Sequence, residues 1–335
     1  MATESAARTT SRLTAIQAPV EADLERVIDE LRRIIVSDFD MIEEVNEYLL
    51  LMRGKLFRPT LLLLSSRVRG DAAPDVVTLA AVVELVHLAT LVHDDAVDHS
   101  VLRRGLPTVN ALWTHQIAII MGDYLYSRAV TELTRLGRLE ALRVLAQAAN
   151  EMSVGEMRQL TSYDALDFGE DDYYRLIAAK TASLMAAACE MGALAGREPD
   201  QTRERLRRYG HNLGMAFQIA DDLLDYEGSE EVTGKPTGHD LRERKVTLPL
   251  VGALRSATPA ELEEIRAFFT LVEPADGAIE RVIDIVRERG GLEYARERAD
   301  HYSREALAAL AGLDDGAPAV GALRDAVAYA TRRSR

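Results

Sequence analysis

Two groups of aspartates with the same spacing stand far apart in this chain. Each group has two adjacent aspartates and a third aspartate three positions later, within an apolar stretch of helical periodicity. The six residues are Asp94, Asp95, Asp98, Asp221, Asp222 and Asp225. In a helix the first and last members of a group share one face, so two carboxylates converge on one point. Mg²⁺ binds carboxylate oxygen while keeping positions for water and phosphate oxygens, so two facing groups predict a diphosphate held between them.

Basic residues accompany the first group. Arg103 and Arg104 follow it directly, and their planar guanidinium groups suit phosphate oxygens. Upstream, the segment Gly54-Lys55-Leu56-Phe57-Arg58-Pro59 places two cations beside a glycine that permits close approach of the backbone. Taken alone, an acidic helix end followed by a basic turn is equally typical of a solvated surface. The second group of aspartates favours the functional interpretation.

Further cations occur downstream. Lys180 and Thr181 interrupt an otherwise apolar helix, where a lysine either extends towards solvent or binds an anion. The segment 234–241, Gly-Lys-Pro-Thr-Gly-His-Asp-Leu, follows the second group and has the composition of a mobile lid carrying Lys235. Lys245 extends this basic group. Without the neighbouring aspartates, a plain surface loop would be the default interpretation.

The elements that must position these side chains are helices. Apolar residues recur at three- and four-residue spacing in nearly every segment, and sustained period-two alternation is scarce. Both aspartate groups close long helices with a buried face. None of the turn-rich breaks is long enough for an interdomain linker, and no repeat of fixed period is present. The pattern predicts a flexible tail over residues 1–18 and one all-α domain over residues 19–335, a multi-helix bundle around a central cavity.

Composition excludes several classes of protein. The 335 residues are 47% hydrophobic, which allows a large core, and the net charge of −14 disfavours a nucleic-acid binder. The single cysteine, Cys189, excludes an internal disulfide and fits a reducing compartment, so we expect a cytoplasmic protein. No stretch of eighteen or more uncharged apolar residues is present, so we expect at most peripheral contact with membranes.

Taken together, these motifs resemble those of the trans-polyprenyl diphosphate synthases, and are most similar to bacterial enzymes that make quinone side chains. The shared motifs are GKxxRP at Gly54, DDxxD with RRG from Asp94, Lys180-Thr181, Phe217-Gln218 with DDxxD, and GKxxGxDL at Gly234. They cover residues 53–249 in order. The resemblance implies the all-α isoprenoid synthase fold and head-to-tail condensation, in which an allylic diphosphate ionises and isopentenyl diphosphate attacks the resulting cation.

The resemblance also implies roles for individual residues. The six aspartates would hold about two or three Mg²⁺ ions, which Mn²⁺ can replace. The residues implied for isopentenyl diphosphate are Lys55, Arg58, His87 and Arg104. The residues implied for the allylic diphosphate are Arg103, Lys180, Thr181, Gln218, Lys235 and Lys245. The catalytic set would be Asp94, Asp95, Asp98, Arg103, Lys180, Asp221, Asp222 and Lys235. Without the resemblance, His87 would be interpreted as a structural histidine.

Product length depends on the floor of the cavity. In this family the floor lies four and five positions before the first aspartate, here Thr90 and Ala89. Both are small, so the growing chain should pass this level, and Tyr126, Val130 and Leu133 on the next helix are candidate deeper stops. We therefore expect a medium- or long-chain product, near octaprenyl. A geranylgeranyl or farnesyl diphosphate synthase is the alternative.

Three other classes remain as rivals. An all-α terpene cyclase or squalene-type synthase shares the aspartates but needs no isopentenyl diphosphate site. Glu84 and His87 have the Glu-x-x-His spacing of di-iron bundles, although those sites need a second such motif, which this sequence lacks. A non-catalytic subunit of a heteromeric synthase would have lost aspartates. From the resemblance we expect a homodimer.

Overall fold

The computed structural model describes residues 12–52, 54–70, 72–161, 167–227, 237–271 and 273–331. The principal helices, numbered here in chain order, are α1 Glu21–Ile35, α2 Asp40–Leu51, α3 Phe57–Ser65, α4 Val76–Val97, α5 Val109–Leu112, α6 His115–Leu136, α7 Leu139–Thr161, α8 Glu170–Ile177, α9 Ser183–Ala195, α10 Asp200–Glu227, α11 His239–Arg242, α12 Leu248–Leu254, α13 Pro259–Thr270, α14 Asp276–Glu288, α15 Gly291–Ala309 and α16 Pro318–Thr331. A 3-10 turn, Ala18–Val20, precedes α1. The predicted all-α class is confirmed.

The centre of the molecule is formed by helices that are buried on nearly all sides. α4 and α9 carry almost continuous apolar sequence, and most of their residues are buried. α4 packs along α6, and α9 packs against α3 and α10. A helix that is apolar all round is stable only inside such a core.

α10 joins two apolar cores. Its first half contributes Leu206 and Leu213 to the core that surrounds α4 and α9. Its second half contributes Ile219 and Leu223 to a core formed with α12, α14 and α15. Because one continuous helix passes through both cores, the described residues show no boundary between domains.

A π-helical turn, Ala178–Ala182, joins α8 to α9 at Lys180 and Thr181. Two glycines allow neighbouring helices to press against it. A Cβ on Gly155 of α7 would lie 2.7 Å from Ala179 Cβ, and one on Gly214 of α10 would lie 2.5 Å from Ala182 Cα. π turns occur frequently at functional sites, and this one lies between the helices that carry the rest of the site.

Three sequence predictions need comment. The tail predicted for residues 1–18 is wrong from residue 12 onwards, because residues 12–17 are helical and Leu13 and Ile16, one turn apart, are buried. The break after the first aspartate group is a short antiparallel hairpin, Leu102–Arg103 with Leu106–Pro107, rather than a plain turn. The sequence Thr258-Pro259-Ala260-Glu261, with a hydroxyl N-cap and proline at the first helical position, predicts a helix start, which is confirmed by a capping box of Thr258 with Glu261.

Two helical stretches of the described chain satisfy the length and hydropathy of a membrane span. They are Val76–Val97, with mean hydropathy 1.9, and Glu170–Ala195, with mean hydropathy 1.2. In both, 72% of the apolar window is buried inside the molecule. This is the pattern of core helices in a globular protein.

Candidate active site

A cavity of ≈450 Å³ lies between α4, α6, α7 and the π turn. Its wall on α4 runs from Asp94 through Thr90 and Ala89 to Val86. At 1.5 Å per residue this wall is about 12 Å long, with a carboxylate at one end and small or apolar side chains along the rest. Its other lining residues are His93, Asp123, Tyr126, Ala146, Ala149, Asn150, Met152, Ser153, Glu156 and Lys180. The cavity therefore joins charged groups to an apolar slot.

The first aspartate group ends α4, with Asp98 as the C-cap. Carboxylates at a helix C-terminus oppose the helix dipole, so this placement favours a bound cation. The pKa of Asp94 is raised to about 6, first by burial and then by the carboxylates of Glu156 and Asp98, against the opposite effect of Lys180 and Arg103. A cation would relieve this crowding.

Asp95 has a different environment from Asp94. It is buried, and Arg103 of the hairpin donates to it from Nε at 2.7 Å and from Nη2 at 2.8 Å. Two parallel charge-assisted bonds hold the guanidinium in place. Arg103, predicted for the allylic diphosphate, is thus oriented by Asp95 at the edge of the same group.

The second group lies in the last two turns of α10. Asp221 is exposed, whereas Asp222 is buried and accepts hydrogen bonds from Tyr173 Oη at 2.6 Å and Gln218 Nε2 at 2.8 Å. Thr181 in turn donates to Gln218 Oε1 at 2.8 Å. Burial raises the pKa of Asp222 to about 7, and the neighbouring carboxylates Asp221 and Asp225 add to the increase. Thr181 and Gln218, predicted for the allylic diphosphate, therefore form one hydrogen-bonded chain with Asp222, predicted for the metal; both roles stay predictions.

Asp225 holds the end of the lid segment. Its carboxylate accepts the backbone N–H groups of His239 at 3.0 Å and Asp240 at 2.9 Å, at the start of α11. A metal ion bound to Asp225 would have to share these carboxylate oxygens with the two backbone N–H groups. The predicted role of Asp225 as a metal ligand stays a prediction. Lys235 lies outside the described residues.

Two lysines lie near the first aspartate group. Lys180 Nζ is 2.5 Å from Glu156 Oε2 and donates to Gln159 Oε1 at 2.9 Å. Lys245 Nζ is 2.6 Å from Glu243 Oε2 and 3.8 Å from Asp98 Oδ2. Lys245 follows α11 and lies against the first group, so it links α11 to α4.

The residues predicted for isopentenyl diphosphate form a second cationic cluster. Arg58 Nη1 lies 3.0 Å from His87 Nε2. Burial, followed by the charges of Arg58 and Arg104, lowers the pKa of His87 well below its usual value. The ring is therefore neutral; because a guanidinium only donates, Nε2 accepts and we assign the proton to Nδ1.

Two further predicted residues border this cluster. A Cβ on Gly54 would lie 3.0 Å from Arg104 Nη1, so the glycine makes room for this guanidinium. Lys55 Nζ donates to Tyr329 Oη at 3.4 Å, which brings in the C-terminal helix α16. Tyr329 has no motif around it and was not predicted.

A buried carboxylate completes the cluster. Glu84 is 2% exposed, one turn before His87 on α4, and its Oε2 atom has no hydrogen-bond partner among the residues that the structure describes. Burial raises its pKa to about 7, while Arg58 and Arg104 act in the opposite direction. The sequence drew attention to Glu84 only through the di-iron spacing. Its environment here is a pair of guanidinium groups.

The cavity also contains most of the residues predicted to set product length. Ala89, Thr90 and Tyr126 line it, and Thr90 Oγ1 donates to His87 O of the preceding turn. Val130 is half-buried and Leu133 is buried, and neither is among the lining residues. The role of these five side chains in chain length stays a prediction.

The available donors fit a hard divalent cation. The side chains near Asp94 are carboxylates, and oxygen donors are the preference of Mg²⁺ and Ca²⁺ rather than of softer metals. Over the described ranges, no three Asp, Glu, His or Cys side chains form a ready-made metal cluster. A cation bound here would complete its coordination with oxygens of the substrate or of water, as the open Mg²⁺ sites of phosphate enzymes do.

The fold and this site are those of the polyprenyl synthetases. The family model for polyprenyl synthetase matches residues 39–286, so the chain belongs to this family and is a prenyltransferase. It is 40% identical over 282 residues to octaprenyl diphosphate synthase of Escherichia coli (strain K12), covering 83% of this chain and 86% of that one. It is 37% identical over 324 residues to heptaprenyl diphosphate synthase component 2 of Geobacillus stearothermophilus, covering 96% and 99%.

Solved structures agree. A decaprenyl diphosphate synthase from Rhodobacter capsulatus superposes with a TM-score of 0.91 at 38% identity, covering 96% of this chain and 99% of that one. A polyprenyl synthase from Caulobacter crescentus CB15, complexed with calcium and isoprenyl diphosphate, gives a TM-score of 0.90 at 35% identity, covering 96% and 98%. The octaprenyl, heptaprenyl and decaprenyl names are those of medium- and long-chain synthases. The predicted family and isoprenoid synthase fold are confirmed.

Proposed function

We propose that this protein condenses isopentenyl diphosphate with an allylic diphosphate, head to tail, to give an all-trans polyprenyl diphosphate near octaprenyl in length. The observation that carries the proposal is the α4 wall, where Asp94 meets an apolar slot lined by Ala89 and Val86. A diphosphate at the charged end would direct its hydrocarbon chain along the small residues. Octaprenyl, heptaprenyl and decaprenyl relatives support a product longer than farnesyl diphosphate.

The allylic diphosphate would bind at the charged end of the cavity. Asp94, Asp98 and Asp221 are our first choices as ligands of the divalent cations. The other members of the two groups, Asp95, Asp222 and Asp225, are our second choices. Bound Mg²⁺ would neutralise charge that grows on the leaving diphosphate. Lys180 and Lys245 supply ammonium donors to the same oxygens, and interactions that strengthen as the carbon–oxygen bond breaks accelerate the reaction.

Isopentenyl diphosphate would bind at the cationic cluster. Arg58 and Arg104 offer planar donors, and the neutral ring of His87 keeps Arg58 aligned through Nε2. The apolar slot keeps water from the allylic cation. No side chain of this site is assigned as a general base; proton removal falls to the departing diphosphate, as the family resemblance implies.

The remaining assignments belong to the same proposal. We infer Mg²⁺ as the metal, about two or three ions per site with Mn²⁺ as a substitute, supported by the calcium in the Caulobacter crescentus complex. A homodimer is supported by apolar side chains exposed on α6, Ile119 at 41% and Ile120 at 60%. The Geobacillus stearothermophilus relative is named a component, so a heteromer is the competing assembly. We assign the protein to the cytoplasm.

The test is incubation of the purified chain with Mg²⁺, farnesyl diphosphate and radiolabelled isopentenyl diphosphate, followed by sizing of the dephosphorylated products. A ladder ending near eight isoprene units is expected. Products ending at geranylgeranyl would overturn the proposed length. Turnover of farnesyl diphosphate without isopentenyl diphosphate would indicate a cyclase, and activity only with an added second subunit would indicate a heteromer.

A further inference from the structure

Glu156 lies inside the active-site cavity, where the sequence motifs did not place an acid. It belongs to α7, lines the cavity together with Asp94 and Lys180, and its side chain is 20% exposed. Its Oε2 atom is 2.5 Å from Lys180 Nζ. The cation expected to bind the allylic diphosphate is thus already paired with a protein carboxylate.

The contact is fixed by the backbone on both sides. Gly155, next to Glu156, packs against Ala179, next to Lys180, so α7 and the π turn approach as closely as a missing side chain allows. Gln159, one turn further along α7, accepts a second hydrogen bond from Lys180 at 2.9 Å. An ammonium group has three donors, and two of them are directed at α7.

The charge of Glu156 opposes the ligand that this end of the cavity must hold. A diphosphate that binds Lys180 either displaces the Glu156 carboxylate or lies beside it, and both outcomes weaken binding through lost pairing or like-charge repulsion. Gln159 is neutral and can keep its bond to Lys180 throughout. Gln159 therefore orients the Lys180 ammonium group, whereas Glu156 competes with the diphosphate for it.

We propose that Glu156 is a positioning residue that holds Lys180 in the empty site and competes with the allylic diphosphate for it. This inference rests on the proposed function. The competition lowers affinity for the allylic diphosphate and for the diphosphate by-product, which must leave after every condensation. It leaves affinity for isopentenyl diphosphate unchanged, because that substrate is assigned to the Arg58 and His87 cluster.

The substitution Glu156→Gln tests the competition because it keeps an oxygen acceptor for Lys180 and removes the charge. Calorimetry with farnesyl thiolodiphosphate, an unreactive analogue, and with inorganic diphosphate should show Kd values about three- to tenfold lower than for the wild type. Steady-state kinetics should show a lower KM for farnesyl diphosphate and a lower kcat, from slower release of diphosphate. The Kd for isopentenyl diphosphate should not change.

Two variants complete the design. Glu151→Gln removes the same charge from an exposed position on the same helix, where the side chain accepts a hydrogen bond from Gln147, and should bind both ligands like the wild type. Glu156→Asp keeps the charge and should bind the allylic analogue no more tightly than the wild type. Equal or weaker binding of the analogue by Glu156→Gln, or an equal shift for isopentenyl diphosphate, would overturn the inference. A wild type that incorporates no isopentenyl diphosphate would instead contradict the proposed function.

Discussion

The two aspartate-bearing helices, α4 and α10, have the same motif but different surroundings. On α10 the polar side chains bond to one another and to the lid: Gln218 to Asp222, Asp222 to Tyr173, and Asp225 to the start of α11. On α4, Glu84 has an oxygen without a hydrogen-bond donor among the described residues, and Asp94 lies near the carboxylates of Asp98 and Glu156. The same motif therefore belongs to a hydrogen-bonded network on α10, whereas on α4 it presents carboxylates that can bind an incoming cation.

The largest effect expected from this difference is on catalysis at α4. Asp94→Asn should lower kcat by about 10²–10³-fold, the usual cost of removing a group that stabilises charge in the transition state. Thermal unfolding should hardly change, because burial already disfavours the ionised carboxylate. Asp123→Asn, a carboxylate of the same cavity whose side chain is 73% exposed, is the control. A loss of stability as large as the loss of activity would remove the contrast.

The next effect concerns stability and pH. The folded-state pKa of Glu84 is about 7 against an ordinary 4.5, so the folded protein holds a proton that the unfolded chain releases. The free energy of unfolding should therefore fall as pH rises from about 4.5 to about 7, by about 3 kcal/mol from this group.

Glu84→Gln should flatten this dependence, because an amide does not titrate. Urea unfolding of wild type and variant at several pH values measures it, with Glu151→Gln as a control that should leave the slope unchanged. A parallel fall in both proteins would mean that Glu84 is not the group responsible.

A larger side chain on the apolar part of α4 should change the length of the product rather than the rate of condensation. Ala89→Phe adds an aromatic ring to the cavity wall, and overpacking costs about 1–3 kcal/mol. We expect products shortened to farnesyl or geranylgeranyl length, measured by chromatography after dephosphorylation. Ala308→Phe makes the same substitution at an exposed position of α15, outside the cavity lining, and should leave the length unchanged. An unchanged length with Ala89→Phe would contradict the steric argument.

The smallest effect is expected in the hydrogen-bonded network on α10, at Asp225. Asp225→Asn leaves one oxygen to accept the N–H groups of His239 and Asp240, and loses their charge assistance, worth about 1.5 kcal/mol. We expect kcat/KM for farnesyl diphosphate to fall about tenfold, with faster hydrogen exchange at these two amides. Asp284→Asn, at an exposed position of α14, should affect neither. Retained amide protection with a large loss of activity would instead favour Asp225 as a metal ligand.

The sequence predicted the features that depend on residue type and spacing within a short segment. The aspartate groups, the GKxxRP segment and Lys180-Thr181 are recognisable because residue type and spacing are both informative, and helical periodicity gave the fold class. Glu84 and Glu156 were not predicted for these roles because each is a single acid on a helix, and its meaning comes from partners distant in sequence. For Asp95 and Asp225 the motif predicts metal binding, but it does not predict the contacts that their oxygens make. Asp95 accepts from Arg103, and Asp225 accepts from the start of α11.

The π turn at Ala178–Ala182 has a consequence for insertions and deletions. It accommodates one residue more than an α-helical turn, so the flanking helices keep their faces. A residue lost from α8, where no wide turn absorbs the change, would rotate the π turn and α9 by about 100° relative to α8. Thr181 would then turn away from Gln218, and Ala182 from Gly214. The length of this segment matters as much as its composition, so this chain should tolerate gaps least in the middle of a helix rather than in its loops, where they are usually accommodated.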